Sequence, residues 1–331
     1  MKVSVILTVL NEGPGMDELL DALLAQSTPP DEIVIVDGGS RDDTLARLQA
    51  WAARDARVKV HVAPGVNISR GRNLAIGLAS GDVLAVTDGG CRPDVHWLAA
   101  LLQPLRDDPT VGAVGGRFVP VAANRFEFYA GLMSVPDLGG ELQRGMFYGR
   151  SSAFRRVVWE RVGGYPEWLY TGEDTLFAIA AGKLGGHDVV YAPDSLLSWR
   201  PRPTLRKLTK MFYLYGRGNG RIANGNLSGS LYWLRYHALL AVALLLSPWQ
   251  PWLLLLAAAA AAQLGRTLVA PNLALLRHAP GVAADRFVHV PLIAMARNLA
   301  TNLGYLRGWD ELRRGADFKQ RLEAYLAGGQ R

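Results

Sequence analysis

The apolar run Leu84-Ala85-Val86-Thr87 stops at Asp88, and two glycines come next, before Cys91. Such a run reads as a strand buried on both faces, the kind found in parallel sheets, and paired glycines let the backbone turn sharply at its carboxyl end. Asp88 is thereby set at the rim of a sheet, where open α/β sheets take their ligands. The same pattern recurs upstream: Val3 to Val9 close on Leu10, Asn11 and Glu12, and Glu32 to Val36 deliver Asp37 before Gly38 and Gly39. Helices are expected between these strands. Leu19, Leu20, Leu23 and Leu24 share a face until Pro29 and Pro30, and Leu45, Leu48 and Trp51 come after Ser40 and Asp43 at capping-box spacing. Val58 to Val62 give a third strand, and a helix over 67–79 carries Arg70, Arg72 and Asn73 near its start. Strands alternating with helices of this length predict an α/β fold with a doubly wound, mostly parallel sheet, which gathers Asn11, Glu12, Asp37 and Asp88 along one edge.

Past Asp88 the pattern loosens. It predicts an amphipathic helix over 96–105, a glycine-containing strand over 111–119, a turn at Gly163 and Gly164, and a helix over 175–184 opened by Glu173 and Asp174. A last strand is expected over 189–192, whereas 124–149 has no assignable pattern.

Charge distribution narrows the partners. The formal charge is +7, and no acidic residue occurs between Asp194 and Asp285, while seven Lys and Arg crowd residues 200–221. The next stretch, Tyr236 to Gly265, is 30 residues without Asp, Glu, Lys or Arg, flanked by Arg235 and Arg266 and interrupted around Pro248 and Pro251. A single span needs about 20 apolar residues, so this reads as a helical hairpin that dips into or barely crosses a bilayer, both ends on one side. An interfacial helix is expected over 286–306. Basic residues beside an uncharged stretch indicate membrane lipids rather than nucleic acid, which would need stacking aromatics on a polar surface. One cysteine fits the cytosol, and the amino terminus reads as a strand, not a signal peptide. The GGS turn has neither the spacing of a dinucleotide site nor that of a P-loop, and no histidine has a partner at metal-ligand spacing.

Five segments in order, VSVILTVLNE, IVIVDGGSRDDT, ISRGRNLAIGLASGDVLAVTDGGC, GGYPEWLYTGEDTLFA and YGRGNGR, make residues 3–221 resemble a family 2 inverting glycosyltransferase with the GT-A nucleotide-diphospho-sugar-binding fold. The hydrophobic remainder resembles the membrane-attachment region of bacterial members that build surface polysaccharides or glycolipids. The resemblance implies a catalytic domain over 1–225, with a nucleotide half to about 120 and an acceptor half beyond it, and a helical membrane-associated region over 226–331. It places the enzyme at the inner membrane, facing the cytoplasm, with a nucleotide-diphospho-sugar donor (UDP-sugar by default) and a lipid-linked or polysaccharide acceptor. The alternatives are non-catalytic nucleotide-sugar binding and, behind it, a basic membrane- or nucleic-acid-binding protein.

By the same resemblance Thr8, Asn11, Glu12, Asp37, Arg70, Arg72 and Asn73 surround the nucleotide. Asp88 binds a divalent metal, Mg2+ or Mn2+, on the diphosphate; Asp174 is the catalytic base, and Glu173 supports it or meets the acceptor. Gly90 stands where the family's second acid is usual, which bears on metal affinity. Arg217 and Arg221, in a loop, help hold the diphosphate or anchor lipid headgroups. Trp199 and Arg200 line the acceptor groove or sit at the membrane interface.

Overall fold

The computed structural model describes residues 1–134, 147 and 149–328. In chain order the elements begin β1 (Val3–Val9), α1 (Gly15–Leu24), β2 (Glu32–Asp37), α2 (Thr44–Arg54), β3 (Val58–Val62), α3 (Ile68–Leu78) and β4 (Val83–Thr87). They continue with β5 (Cys91–Pro93), α4 (Trp97–Asp107), β6 (Val111–Pro120), α5 (Arg125–Ser134), β7 (Ser151–Arg155), α6 (Arg156–Val162), α7 (Glu173–Leu184) and β8 (Asp188–Trp199). The rest is helical: α8 (Leu205–Arg221), α9 (Leu227–Leu246), α10 (Leu253–Leu264), a π turn at Gly265–Val269, α11 (Ala270–Leu275), α12 (Arg286–Arg314) and α13 (Ala316–Leu326). The segment left unassigned thus contains α5; its residues 135–146 and 148 lie outside the described ones.

Two compact units form, Met1–Pro120 with Gly139–Arg200 and Arg321–Arg331, and Val121–Leu138 with Pro201–Gln320. This division differs from the boundary expected at residue 225. The first unit holds one eight-stranded sheet in the order β3-β2-β1-β4-β7-β6-β8-β5. β1 lies parallel between β2 and β4, so the ends of β1, β2 and β4 come together on one edge, as their sequence pattern requires. The β-branched and leucine side chains of these three strands are buried on both faces, which is the physical reason for their unbroken apolar runs.

Sequence reading missed β7, which inserts antiparallel between β4 and β6. Its short sequence SSAFR carries two serines and no alternation. β8 runs to Trp199 instead of stopping at Ala192. Its register against β6 jumps from Ala192 opposite Gly116 to Leu196 opposite Arg117, so Pro193 and Asp194 fall in an irregularity that needs no ladder hydrogen bond. The expected Ser40/Asp43 capping box is absent. Asp42 Oδ1 instead accepts from Thr44 N at 3.1 Å and Thr44 Oγ1 at 2.6 Å, while that hydroxyl accepts from Glu12 N and Gly13 N at 2.9 and 2.8 Å.

In the second unit, α9 and the apolar helix over Leu253–His278 form the hairpin, with both prolines in its tip, and each is long and apolar enough to cross a membrane. α12 runs past the expected end at 306 to Arg314. Val288, Leu292, Leu299 and Leu303 make an exposed apolar stripe along it. YGRGNGR, read as a loop, is the last turns of α8. Its glycines serve packing: a Cβ on Gly216 would lie 2.0 Å from Thr301 O, one on Gly220 2.3 Å from Tyr305 O, and one on Gly304 or Gly308 2.0 Å from the carbonyls of Tyr213 or Arg217. Two small-residue pairs spaced by four therefore bring the α8 and α12 backbones into contact. Gly304→Ala is expected to lower the thermal unfolding midpoint of the detergent-solubilised protein, by an overpacking penalty of about 1–3 kcal/mol. Gly229→Ala on α9, where a Cβ meets nothing closer than 3.7 Å, should not. Equal midpoints would deny the backbone contact.

Candidate active site

Asp37 ends β2 and is fully buried. Its Oδ1 accepts from Gly39 N and Ser40 N at 2.8 Å each, while Oδ2 is buried with no partner among the described residues. A buried carboxylate oxygen left unpaired is costly, and a ligand N–H or hydroxyl would satisfy it. Thr8 Oγ1, on β1, is a second buried atom without a partner. Asn11 adopts φ 57°, a region asparagine tolerates, and links the two strand ends: its N donates to Ser40 Oγ at 2.9 Å and its Oδ1 accepts from Arg41 N at 2.8 Å.

Arg72 joins the acids. Its side chain is buried; Nη2 donates to Asp88 Oδ1 at 2.9 Å and Nη1 to Glu173 Oε1 at 3.1 Å. The Tyr165 ring lies 5.4 Å from its guanidinium carbon, and Gly149 packs so closely that a Cβ there would stand 2.6 Å from Nη2. Burial alone would drag this guanidinium below its ordinary value, but Asp88, Tyr165, Glu173 and Asp174 hold it above. Gly172, at φ 82°, turns the chain into α7 and delivers Glu173 and Asp174 in its first turn, where the helix dipole favours carboxylates.

The two neighbours differ in access. Glu173 is buried, and burial, reinforced by Asp174, pushes its carboxyl up to about 7 against the pull of Arg72. Asp174 is half-buried; its Oδ1 accepts from Thr175 N at 2.7 Å and its Oδ2 from Gly149 N at 3.3 Å. Of the pair, Asp174 is the more exposed.

Other expected residues fall elsewhere. Asn73 is buried and saturated: Nδ2 donates to Tyr165 O and Glu167 Oε1, and Oδ1 accepts from Trp159 Nε1 and Tyr165 N, leaving nothing for a nucleotide. Arg70 has an exposed side chain and its N is capped by Asn67 Oδ1 at 2.9 Å. Trp199 faces the Arg150 guanidinium, 4.5 Å from its ring, with Phe118 at 5.1 Å from the same carbon; Arg200 is exposed. Arg217 and Arg221 belong to the helical unit, where Glu311 accepts from Nη2 of the first and Nε of the second, at 2.7 Å each. Sequence reasoning gave Tyr165 and Gly149 no role. Tyr165 stood in a quoted segment, whereas Gly149 carried no signal.

A divalent cation is compatible with the residues present. Among the described residues no group of three or more His, Cys, Asp and Glu could hold one. Asp88 nevertheless gives only Oδ1 to Arg72, and the Glu12 carboxylate abuts the same loop, its Oε1 3.1 Å from where a Gly89 Cβ would be. Two hard carboxylates plus substrate phosphates suffice for Mg2+ or Mn2+. A Cβ on Gly90 would meet open space, so that glycine is not demanded by packing.

The family model described as Glycosyl transferase family 2 matches residues 4–189, more than half of the chain. The chain belongs to this family. It is a transferase with the GT-A fold, and its C-terminal part carries the two apolar helices. Among its relatives, the glycosyltransferase AglE of Haloferax volcanii is 27% identical over 66% of this chain and 73% of that protein. The O-antigen chain rhamnosyltransferase RfbN of Salmonella typhimurium is 25% identical over 60% and 66%. Among solved structures, the mannosyltransferase PcManGT of Pyrobaculum calidifontis, in complex with GDP-Man and Mn2+, superposes with a TM-score of 0.57 at 23% identity, over 94% of this chain and 88% of that one.

Proposed function

We infer that this glycosyltransferase moves a sugar from a nucleoside diphosphate, UDP by default, to a hydroxyl of a lipid-linked or polysaccharide acceptor, inverting the anomeric carbon. The observation that carries the reading is Arg72, one buried cation bonded both to the acid at the end of β4 and to the acid opening α7. In this reading it ties the donor-side carboxylate to an acceptor-side one. The orphan Oδ2 of Asp37 accepts from the nucleoside. Asp88 and Glu12 would hold a divalent cation, whose chemistry is to neutralise charge on the departing diphosphate. Asp174 takes the proton of the acceptor hydroxyl as its oxygen bonds to the anomeric carbon. The bond from that carbon to the diphosphate breaks on the opposite face, its electron pair leaving with the nucleotide. One displacement inverts the centre.

Similarity to an O-antigen chain enzyme favours a polysaccharide or lipid-linked acceptor. The two apolar helices, the exposed stripe on α12 and the basic α8 favour attachment to the inner membrane with the catalytic unit in the cytoplasm. Arg217 and Arg221, both engaged by Glu311, serve the cohesion of α8 and α12 in this reading, not the diphosphate.

Calorimetric titration with UDP, GDP and dTDP, each with and without Mn2+, tests it. One nucleotide should bind, more tightly with metal; Asp88→Ala should lose the metal-dependent part, and Gly90→Asp, which fits the open space, should strengthen it. No binding of any nucleotide would sink the reading.

A further inference from the structure

The helical unit contains a cavity of about 430 Å³, within the usual range of small-molecule sites. Phe212, Tyr215 and Asn219 of α8, Trp233 of α9, Leu268 and Asn272 of the Leu253–His278 helix, and Arg297 and Asn298 of α12 are among its walls. One cation and no carboxylate line it. That cation is unusual. Arg297 is half-buried, and its contacts among the described residues are one hydrogen bond donated to Met133 O and the Phe212 ring, 5.9 Å from its guanidinium carbon. No carboxylate of the described residues pairs with it, and burial draws its guanidinium below the ordinary value. Taking a charge out of water is expensive unless it is paired, so a guanidinium with no carboxylate partner among the described residues favours an anion.

The amides beside it are set to donate. Asn298 Oδ1 is engaged by His237 Nε2 at 3.1 Å, and Asn219 Oδ1 accepts from Asn224 Nδ2 at 3.1 Å, so each Asn keeps its NH2 group for another acceptor. A planar cation with amide donors matches the several oxygens of a phosphate. Leu268 and Trp233 come from the two helices apolar enough to span a membrane, which gives the anion's carrier an apolar wall to lie along.

We propose that this cavity is a lipid-phosphate site, in which Arg297, with the amides of Asn219 and Asn298, holds the phosphate of a membrane-embedded lipid whose chain lies along the apolar hairpin. The proposal rests on the reading of the helical unit as membrane-attached and is independent of the donor pocket. Two sources share the chemistry, a glycerolipid headgroup and an isoprenoid phosphate.

The test is native mass spectrometry of the full-length protein in a neutral detergent, titrated with dihexanoyl phosphatidic acid, farnesyl phosphate, farnesol, dihexanoyl phosphatidylcholine and inorganic phosphate. One or both lipid phosphates should bind at least tenfold more tightly than farnesol, phosphatidylcholine and inorganic phosphate, and the tighter of the two names the source. Arg297→Met should lose at least tenfold in that affinity and Arg297→Lys only a fraction of it. Asn298→Ala, which leaves the cation in place, should lose severalfold, so a fold defect in one variant does not decide the matter. Equal binding of farnesol and farnesyl phosphate, inorganic phosphate binding as tightly as the lipids, or unchanged affinity in Arg297→Met would each overturn the proposal. Flotation with phosphatidylcholine vesicles measures membrane attachment separately, so failure of that reading is distinguishable from failure of the site.

Discussion

Asp174→Asn should lower the rate of sugar transfer by about a thousandfold and leave nucleotide affinity where it was, the loss expected if the proposed general base is removed from an otherwise intact site. The substitution is nearly isosteric, and an Asn at this position still accepts from Thr175 N, so the first turn of α7 keeps its shape. Nucleoside diphosphate released per minute, together with calorimetric affinity for the donor nucleotide, gives both halves of the result. A variant that transfers at half the normal rate would remove Asp174 from the chemistry and leave the buried Glu173, a poor candidate for reaching an acceptor, as the remaining acid of α7. Glu173→Gln should be the milder change, because Gln retains the ability to accept from Arg72.

Arg72→Met is expected to be the most damaging substitution in the sheet unit for stability and activity together. It strands two carboxylates, Asp88 and the buried Glu173, that now share one guanidinium. Breaking a buried pair from one side costs about 3–5 kcal/mol, which for a unit of this size corresponds to a fall of about 10 °C in the unfolding midpoint. The pH dependence gives the loss a signature. Glu173 is raised from 4.5 to about 7, so the folded state holds that proton more tightly than the unfolded chain. Its contribution is therefore fully present below about pH 4.5 and is lost as pH rises towards 7. Without Arg72 the opposing pull disappears and the decline steepens and extends upward, so midpoints at pH 5 and pH 8 should diverge more in the variant than in the wild type. Parallel profiles would mean that Glu173 does not depend on Arg72 for its charge.

The strand ends were legible because a buried parallel strand writes itself as an unbroken apolar run, and the residue just past its carboxyl end lies at the rim of the sheet. Asp37 and Asp88 needed no more than that. The hub was harder to read. Arg72 lies in the first half of α3, in a segment whose charge suggests a nucleotide contact, and its ion pairs and the packing of Gly149 and Tyr165 show it turned inward. Asn73 misled for the same reason: its residue type suits a ligand, but its four hydrogen bonds are all made within the fold. Three glycines in seven residues read as a loop in YGRGNGR because glycine weakens an isolated helix. On α8 that loss is offset by contact with a second helix far along the chain, α12, a long-range fact that no local pattern records.

Among the described residues the polypeptide leaves the sheet unit twice, after residues 120 and 200, and returns to it after residue 320. Neither unit is thus a cassette that one cut would release. A chain stopped at Arg200 would keep every described strand but lose Tyr325, which is buried in the sheet unit with its hydroxyl donating to Gly164 O at 2.6 Å, next to the turn that leads to Tyr165. Grafting the helical part of another family member onto this sheet would have to replace two separate segments and reconnect the chain to the tail that returns. Chimaeras made by simple recombination are correspondingly constrained, and those that survive should be the ones whose junctions respect each of these crossings.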